Sequence, residues 1–86
     1  MAYEVRLSKR ALRELSSFDS SLQKRIVSRL EELGQDPFPR GTMKLHARGN
    51  SYRTRVGDYR ILYEVLVGEK MILVDKIDHR SGVYGP

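Results

Sequence analysis

Tyr52-Arg53-Thr54-Arg55-Val56-Gly57-Asp58-Tyr59-Arg60-Ile61-Leu62-Tyr63 reads as a β-hairpin that gathers its charge on one face. Tyr52, Thr54 and Val56 alternate with Arg53 and Arg55, and side chains in a strand alternate between two faces. Gly57-Asp58 supplies the turn. A two-residue loop sets Val56 opposite Tyr59, Arg55 opposite Arg60, and Arg53 opposite Leu62. Arg55 and Arg60 then become cross-strand neighbours of like charge, an arrangement that costs stability on its own. A sheet that accepts such a pair is expected to meet an anion there. Phosphate is the natural one, because arginine keeps its charge and presents a planar fork of donors.

Outward from the hairpin, the charge thins. Residues 44–60 carry Lys44, Arg48, Arg53, Arg55 and Arg60 against Asp58 alone, whereas the whole chain of 86 residues has a formal net charge of +5. The positive charge is therefore densest in and just before the hairpin, which favours a polyanionic partner. The chain has no cysteine, so disulfide frameworks and thiolate metal sites are excluded. No His/Asp/Glu set has the spacing of metal ligands and no glycine-rich phosphate loop is present, so no metal or other cofactor is expected. No apolar run has membrane-spanning length and the N-terminus lacks a signal-peptide pattern, so a soluble, cytoplasmic chain is expected.

Tyr3, Val5 and Leu7 alternate with polar residues and predict an opening strand. Ser8 caps a helix to about Ser17, with Ala11, Leu12, Leu15 and Phe18 on its apolar side. Ser20 and Gln23 form a capping-box pair for a second helix, whose stripe is Leu22, Ile26, Val27, Leu30 and Leu33 and whose C-terminal glycine is Gly34. The short connection predicts an antiparallel helix pair. Two prolines make residues 36–41 a loop, and Met43 to Leu45 a short strand. After the hairpin, strand character runs through Val67, turns at Gly68-Glu69 and resumes from Met71 to Ile77. Met71-Ile72-Leu73-Val74 is apolar throughout, which predicts an interior strand covered on both faces. A two-residue and a three-residue turn would give Asp75 and Lys76 opposite faces, and the sequence leaves both open.

The sum is one α+β domain over residues 1–86: an N-terminal strand, a helix pair, and a three- to four-strand antiparallel sheet. The helices are expected to cover Tyr59, Ile61, Tyr63 and Val65, which makes Tyr52, Tyr59 and Tyr63 packing residues rather than base-stacking platforms. The opposite face carries the arginines together with Leu62 and Leu66, so a partner or the C-terminal segment must cover part of it. Lys9, Arg10, Arg13, Lys24, Arg25 and Arg29 read first as a solvated helix surface.

The pattern Tyr-Arg-x-Arg-x-Gly-Asp-Tyr-Arg-Ile-x-Tyr-Glu-Val, then an apolar strand, then His79-Arg80 and Val83-Tyr84, resembles the RelE side of the RelE/ParE toxin superfamily over essentially the whole chain. That resemblance implies a RelE-like mRNA interferase: the toxin of a type II toxin-antitoxin system, cleaving messenger RNA on the ribosome, inhibiting translation, and silenced by a cognate RelB-like antitoxin. It maps Arg53 and Arg55 onto two basic residues of the family hairpin, and Arg60, Arg80 and Tyr84 onto the family's arginines and tyrosine. A ParE-like toxin that binds DNA gyrase without nuclease activity and a degenerate RNA-binding relative are the alternatives.

Strand order alone brings the start of the Tyr59 strand beside the end of the Met71 strand, so Arg55, Arg60, Arg80 and Tyr84 can converge at one end of the sheet. Metal-free RNA cleavage needs a base for the 2′-hydroxyl, charge stabilisation at the phosphate, and an acid for the leaving 5′-oxygen. Arginine supplies the second and cannot supply the first, since guanidinium does not deprotonate in proteins. Tyr84, His79 and His46 are the proton carriers within reach of the sequence. The resulting expectation assigns Arg60, Arg80 and Tyr84 to catalysis, with His79 as a further proton carrier. Arg53 and Arg55, together with Lys44 and Arg48 from the basic stretch, grip RNA.

Overall fold

A computed structural model describes residues 2–45 and 49–79. Its elements are β1 (Glu4–Leu7), α1 (Lys9–Ser17), α2 (Ser20–Gln35), β2 (Met43–Lys44), β3 (Ser51–Val56), β4 (Tyr59–Leu66) and β5 (Met71–His79). The sheet has five strands in the order β1-β5-β4-β3-β2. All neighbours pair antiparallel except β1, which runs parallel to β5. The α+β expectation and the segregation of helices from strands both hold. So does the hairpin register, with Val56 opposite Tyr59, Arg55 opposite Arg60 and Arg53 opposite Leu62.

Both helices lie on one face. The core is Ala11, Ile26, Leu30 and Leu33 from the helices against Val56, Ile61, Tyr63, Val65, Ile72, Val74 and Ile77 from the sheet. Each Val, Leu or Ile among them, fully buried, contributes about 1.5–3 kcal/mol. Tyr63 is buried with its hydroxyl donating to the Pro37 carbonyl at 2.7 Å, which satisfies the one polar atom that its burial would otherwise strand. Tyr52 stacks on Tyr63 (6.1 Å between centroids) and Phe38 meets Tyr52 edge-on (4.9 Å), so the proline loop is fastened to the sheet by rings. The tyrosines pack, as their alternation implies.

Three local features differ from the sequence reading. Ser8 caps α1 as expected, its Oγ accepting from the Ala11 N–H at 3.0 Å. At α2, however, the cap is Asp19, whose Oδ1 accepts from the Leu22 N–H at 2.8 Å. Both residues are competent caps; the aspartate one position earlier takes the role, and Gln23 instead donates to the Leu15 carbonyl at the end of α1 (2.9 Å). Gly34 does not end α2, which continues to Gln35 with Asp36 as C-cap. Gly34 is there for close approach: its carbonyl accepts from the Tyr3 N–H at 2.7 Å, and a Cβ would stand 3.3 Å from the Tyr3 oxygen.

The third difference is in β5. The β4–β5 connection spans four residues, with Leu66 opposite Met71, and the register then shifts between Leu62 and Tyr63 so that Asp75 is the extra residue of a bulge. Ile72, Val74 and Ile77 do not share one period-2 face, and the bulge is what returns Ile77 to the core beside Ile61. It also turns Lys76 and Asp78 to the face away from the helices. The freed backbone is satisfied from α1: the Ser8 hydroxyl donates to the Asp75 carbonyl (2.7 Å) and Glu14 accepts from the Ile77 N–H (2.7 Å). The β5 strand is interior, as its run of apolar residues implies. It is buried on one face only, because Met71 and Leu73 remain half-buried on the other.

Candidate nucleic-acid interface

The face of the sheet away from the helices is built by the odd positions of β3 and the even positions of β4. The β3 strand gives Arg53 and Arg55; β4 gives Arg60, Leu62, Glu64 and Leu66; β5 gives Met71, Leu73, Lys76 and Asp78. Arg60 stands in the middle, with Arg55 opposite it on one side and Asp78 on the other. It is only 5% exposed, whereas Arg55 is exposed and Arg53 half-buried. Asp78 pairs with Lys76 at 3.0 Å. The centre of the face is therefore a buried guanidinium flanked by a second, solvent-facing one.

Gly57 permits the turn that sets this pair. Its φ of +59° lies in the left-handed region, and the Arg25 guanidinium passes over it so closely that a Cβ would sit 2.7 Å from Nη2. Arg29 fixes the other flank. Its Nη1 donates to the Thr54 hydroxyl at 2.8 Å and to the Arg55 carbonyl at 2.7 Å, while its Nε meets Glu32 at 2.8 Å. Thr54 is buried, and Arg29 satisfies its hydroxyl. Arg29 is thus a cross-link between α2 and the arginine strand, not a member of a solvated helix surface. Sequence spacing gave no sign of it, since the two ends are 25 residues apart.

Arg53 is less well satisfied. Its Nη2 reaches the Met43 thioether at 3.3 Å, a weak acceptor, and its Nε is buried with no acceptor among the described residues. A charged donor in that condition is suited to an anionic acceptor.

Of the other residues picked out from sequence, Arg48, Arg80, Tyr84 and His46 lie outside the described residues. Lys44 pairs with Tyr52 and so belongs to the helix side of the sheet edge, not to the face of Arg53 and Arg55. His79 pairs with Tyr59 and meets its ring edge-on at 4.9 Å, which also places it on the helix side, across the sheet from Arg60. The end of β5 does lie beside the start of β4, with Asp78 opposite Arg60. Among the described residues no three His, Cys, Asp or Glu side chains come together as metal ligands. No helix among them is long and apolar enough to cross a membrane.

A family model described as the ParE toxin of the type II toxin-antitoxin system parDE matches residues 5–84. The chain is 31% identical to a Methanocaldococcus jannaschii protein named "Putative toxin RelE1", over 98% of this chain and 97% of that one. Among solved structures, the archaeal RelE-RelB complex from Pyrococcus horikoshii OT3 has a chain that superposes with a TM-score of 0.84 at 32% identity, covering 93% of this chain and 97% of that one. The isolated E. coli RelE toxin superposes at 0.80 with 25% identity, covering 96% and 92%.

Proposed function

This chain belongs to the RelE/ParE family of type II toxin-antitoxin toxins, and from that premise we propose that it is a metal-independent endoribonuclease that cuts messenger RNA on the ribosome. The observation that carries the reading is the cross-strand pair Arg55–Arg60, a like-charge juxtaposition that a phosphate would turn from a cost into a binding site.

In this proposal Arg60 and Arg80 hold the scissile phosphate and stabilise the charge that builds on it as the 2′-oxygen attacks. Arginine clamps of this kind stabilise the charge that develops on a transferring phosphoryl group. Arg53 and Arg55 hold the neighbouring backbone. Tyr84 takes the 2′-proton; an isolated phenol titrates near ~10, and this role needs cations close enough to lower that value. His79, across the sheet from Arg60, is set aside for this role. Buried Tyr63 is no substitute, because desolvation raises its pKa and its proton is committed to Pro37.

The same face suits an antitoxin. Leu62, Leu66, Met71 and Leu73 are half-buried apolar residues beside the arginines, the pattern that an acidic, amphipathic segment covers. The P. horikoshii relative is a RelE-RelB complex, which supports a RelB-like partner here. An enzyme that works on translating ribosomes acts in the cytoplasm.

Induction of the chain in cells, followed by primer extension on a translated message, tests the reading. Codon-phased cuts that vanish in an Arg60→Ala, Arg80→Ala double variant are expected. Intact message with double-strand DNA breaks would point to a ParE-like, gyrase-directed toxin instead, and toxicity with neither would leave only RNA binding.

A further inference from the structure

The basic residues do not stop at the arginine face. Where β2 ends, the outer edge of β3 opens into a cleft of about 410 Å³ lined by Arg29, Arg40, Arg53 and Arg55, with Met43 at its wall. On the far side of Arg29 lies a second cleft, of about 400 Å³, between α2 and the hairpin turn, lined by Lys24, Arg25, Arg29 and Glu32. Arg29 lines both, and its own donors are held by Thr54, Arg55 and Glu32. The two clefts thus bring together six cationic side chains and a single carboxylate, Glu32, which is already paired. Arg53 contributes a buried Nε that no acceptor meets among the described residues. Six cations gathered around one carboxylate repel one another, and a desolvated donor without an acceptor adds to that cost. A chain of phosphates removes both.

We infer that these clefts are a second phosphate track: a single RNA strand gripped on the open face turns over the free edge of β3, past Arg40, and continues along α2 past Lys24 and Arg25. The track rests on the reading of the open face as an RNA site and extends it by three residues that reading does not use. Recognition here is of backbone, since the lining offers cations and no exposed aromatic ring for a base.

The test is fluorescence anisotropy of a 2′-O-methyl oligonucleotide, which cannot be cleaved, bound to the purified chain over a salt series. For single strands, log K falls with log[salt] with a slope of about −0.7 per phosphate contacted. Arg40→Ala and Lys24→Ala are each expected to weaken binding and to shallow the slope by about 0.7. Arg6→Ala removes the same charge at the opposite edge of the sheet and is expected to leave the slope alone. Equal slopes for Arg40→Ala, Lys24→Ala and the parent overturn the track. If the two variants lose affinity for polyglutamate but keep the RNA slope, the clefts dock an acidic protein and the RNA assignment falls. Thermal unfolding of each variant separates these outcomes from misfolding, and both residues are exposed, so little change is expected. Codon-phased cleavage by the parent is a separate readout: its absence removes the nuclease reading while the slopes still decide the track.

Discussion

The two faces of this one sheet obey different rules. On the helix side, Ile61, Tyr63 and Val65 of β4 are buried against α1 and α2, and the polar atoms among them have partners. On the other side, the residues between them, Arg60, Leu62, Glu64 and Leu66, share a surface with Arg53 and Arg55, and like charges stand opposite each other. Strand alternation lets adjacent residues serve unrelated ends. The core face supplies the stability that allows the open face to hold a cationic cluster in place before any ligand arrives. Preorganised charge of that kind is what phosphate chemistry needs, because no rearrangement has to accompany the developing negative charge.

The contrast breaks if neighbours on opposite faces weigh the same. Ile61→Ala is expected to cost about 2–5 kcal/mol, and Leu62→Ala about 1 kcal/mol or less, in urea unfolding. Similar losses for the two would mean that the open face is a second core.

Tyr63→Phe sharpens the contrast within the helix side. It removes the hydrogen bond to Pro37 and is expected to cost about 1 kcal/mol at neutral pH. Burial raises the phenol above its ordinary 10.0. The folded chain therefore keeps a proton that the unfolded chain loses near 10.0. That contribution is complete below the unfolded value and is lost as pH rises through the raised folded value. In denaturation followed across alkaline pH, the parent should lose stability more steeply above pH 10 than Tyr63→Phe does; parallel curves would contradict the assignment.

The smallest effect is expected beside the centre of the open face. Arg55→Ala should shift stability by about 0.5 kcal/mol or less, and upward if anything, since it relieves repulsion with Arg60. A clear loss in thermal unfolding would make Arg55 a structural residue.

The hairpin, the two-faced sheet and most of the helix stripes were legible in sequence because each rests on local periodicity, although Leu12 and Val27, which the stripes include, are exposed. Arg53 and Arg55 alternating with Tyr52, Thr54 and Val56 leave one register that buries the apolar set. The bulge at Asp75 was not legible. It is fixed by Ser8 and Glu14 of a distant segment, which capture the backbone that the bulge releases. Gly34 misled for the same reason: near a helix end it reads as a terminator, yet its role is set by Tyr3 of β1 pressing against it. The arginine face was readable residue by residue. The Arg29 cross-link and the placement of Lys44 and His79 across the sheet came only with strand pairing.

The most direct test of the open face as an RNA-phosphate site is single-turnover cleavage of messenger RNA on programmed ribosomes by Arg55→Ala beside the parent, with urea midpoints taken on the same preparations. The expected result is a rate about 10- to 10²-fold lower at subsaturating toxin, the loss of one charged contact to the RNA backbone, with the midpoint unchanged. An undiminished rate at the same midpoint would contradict the account.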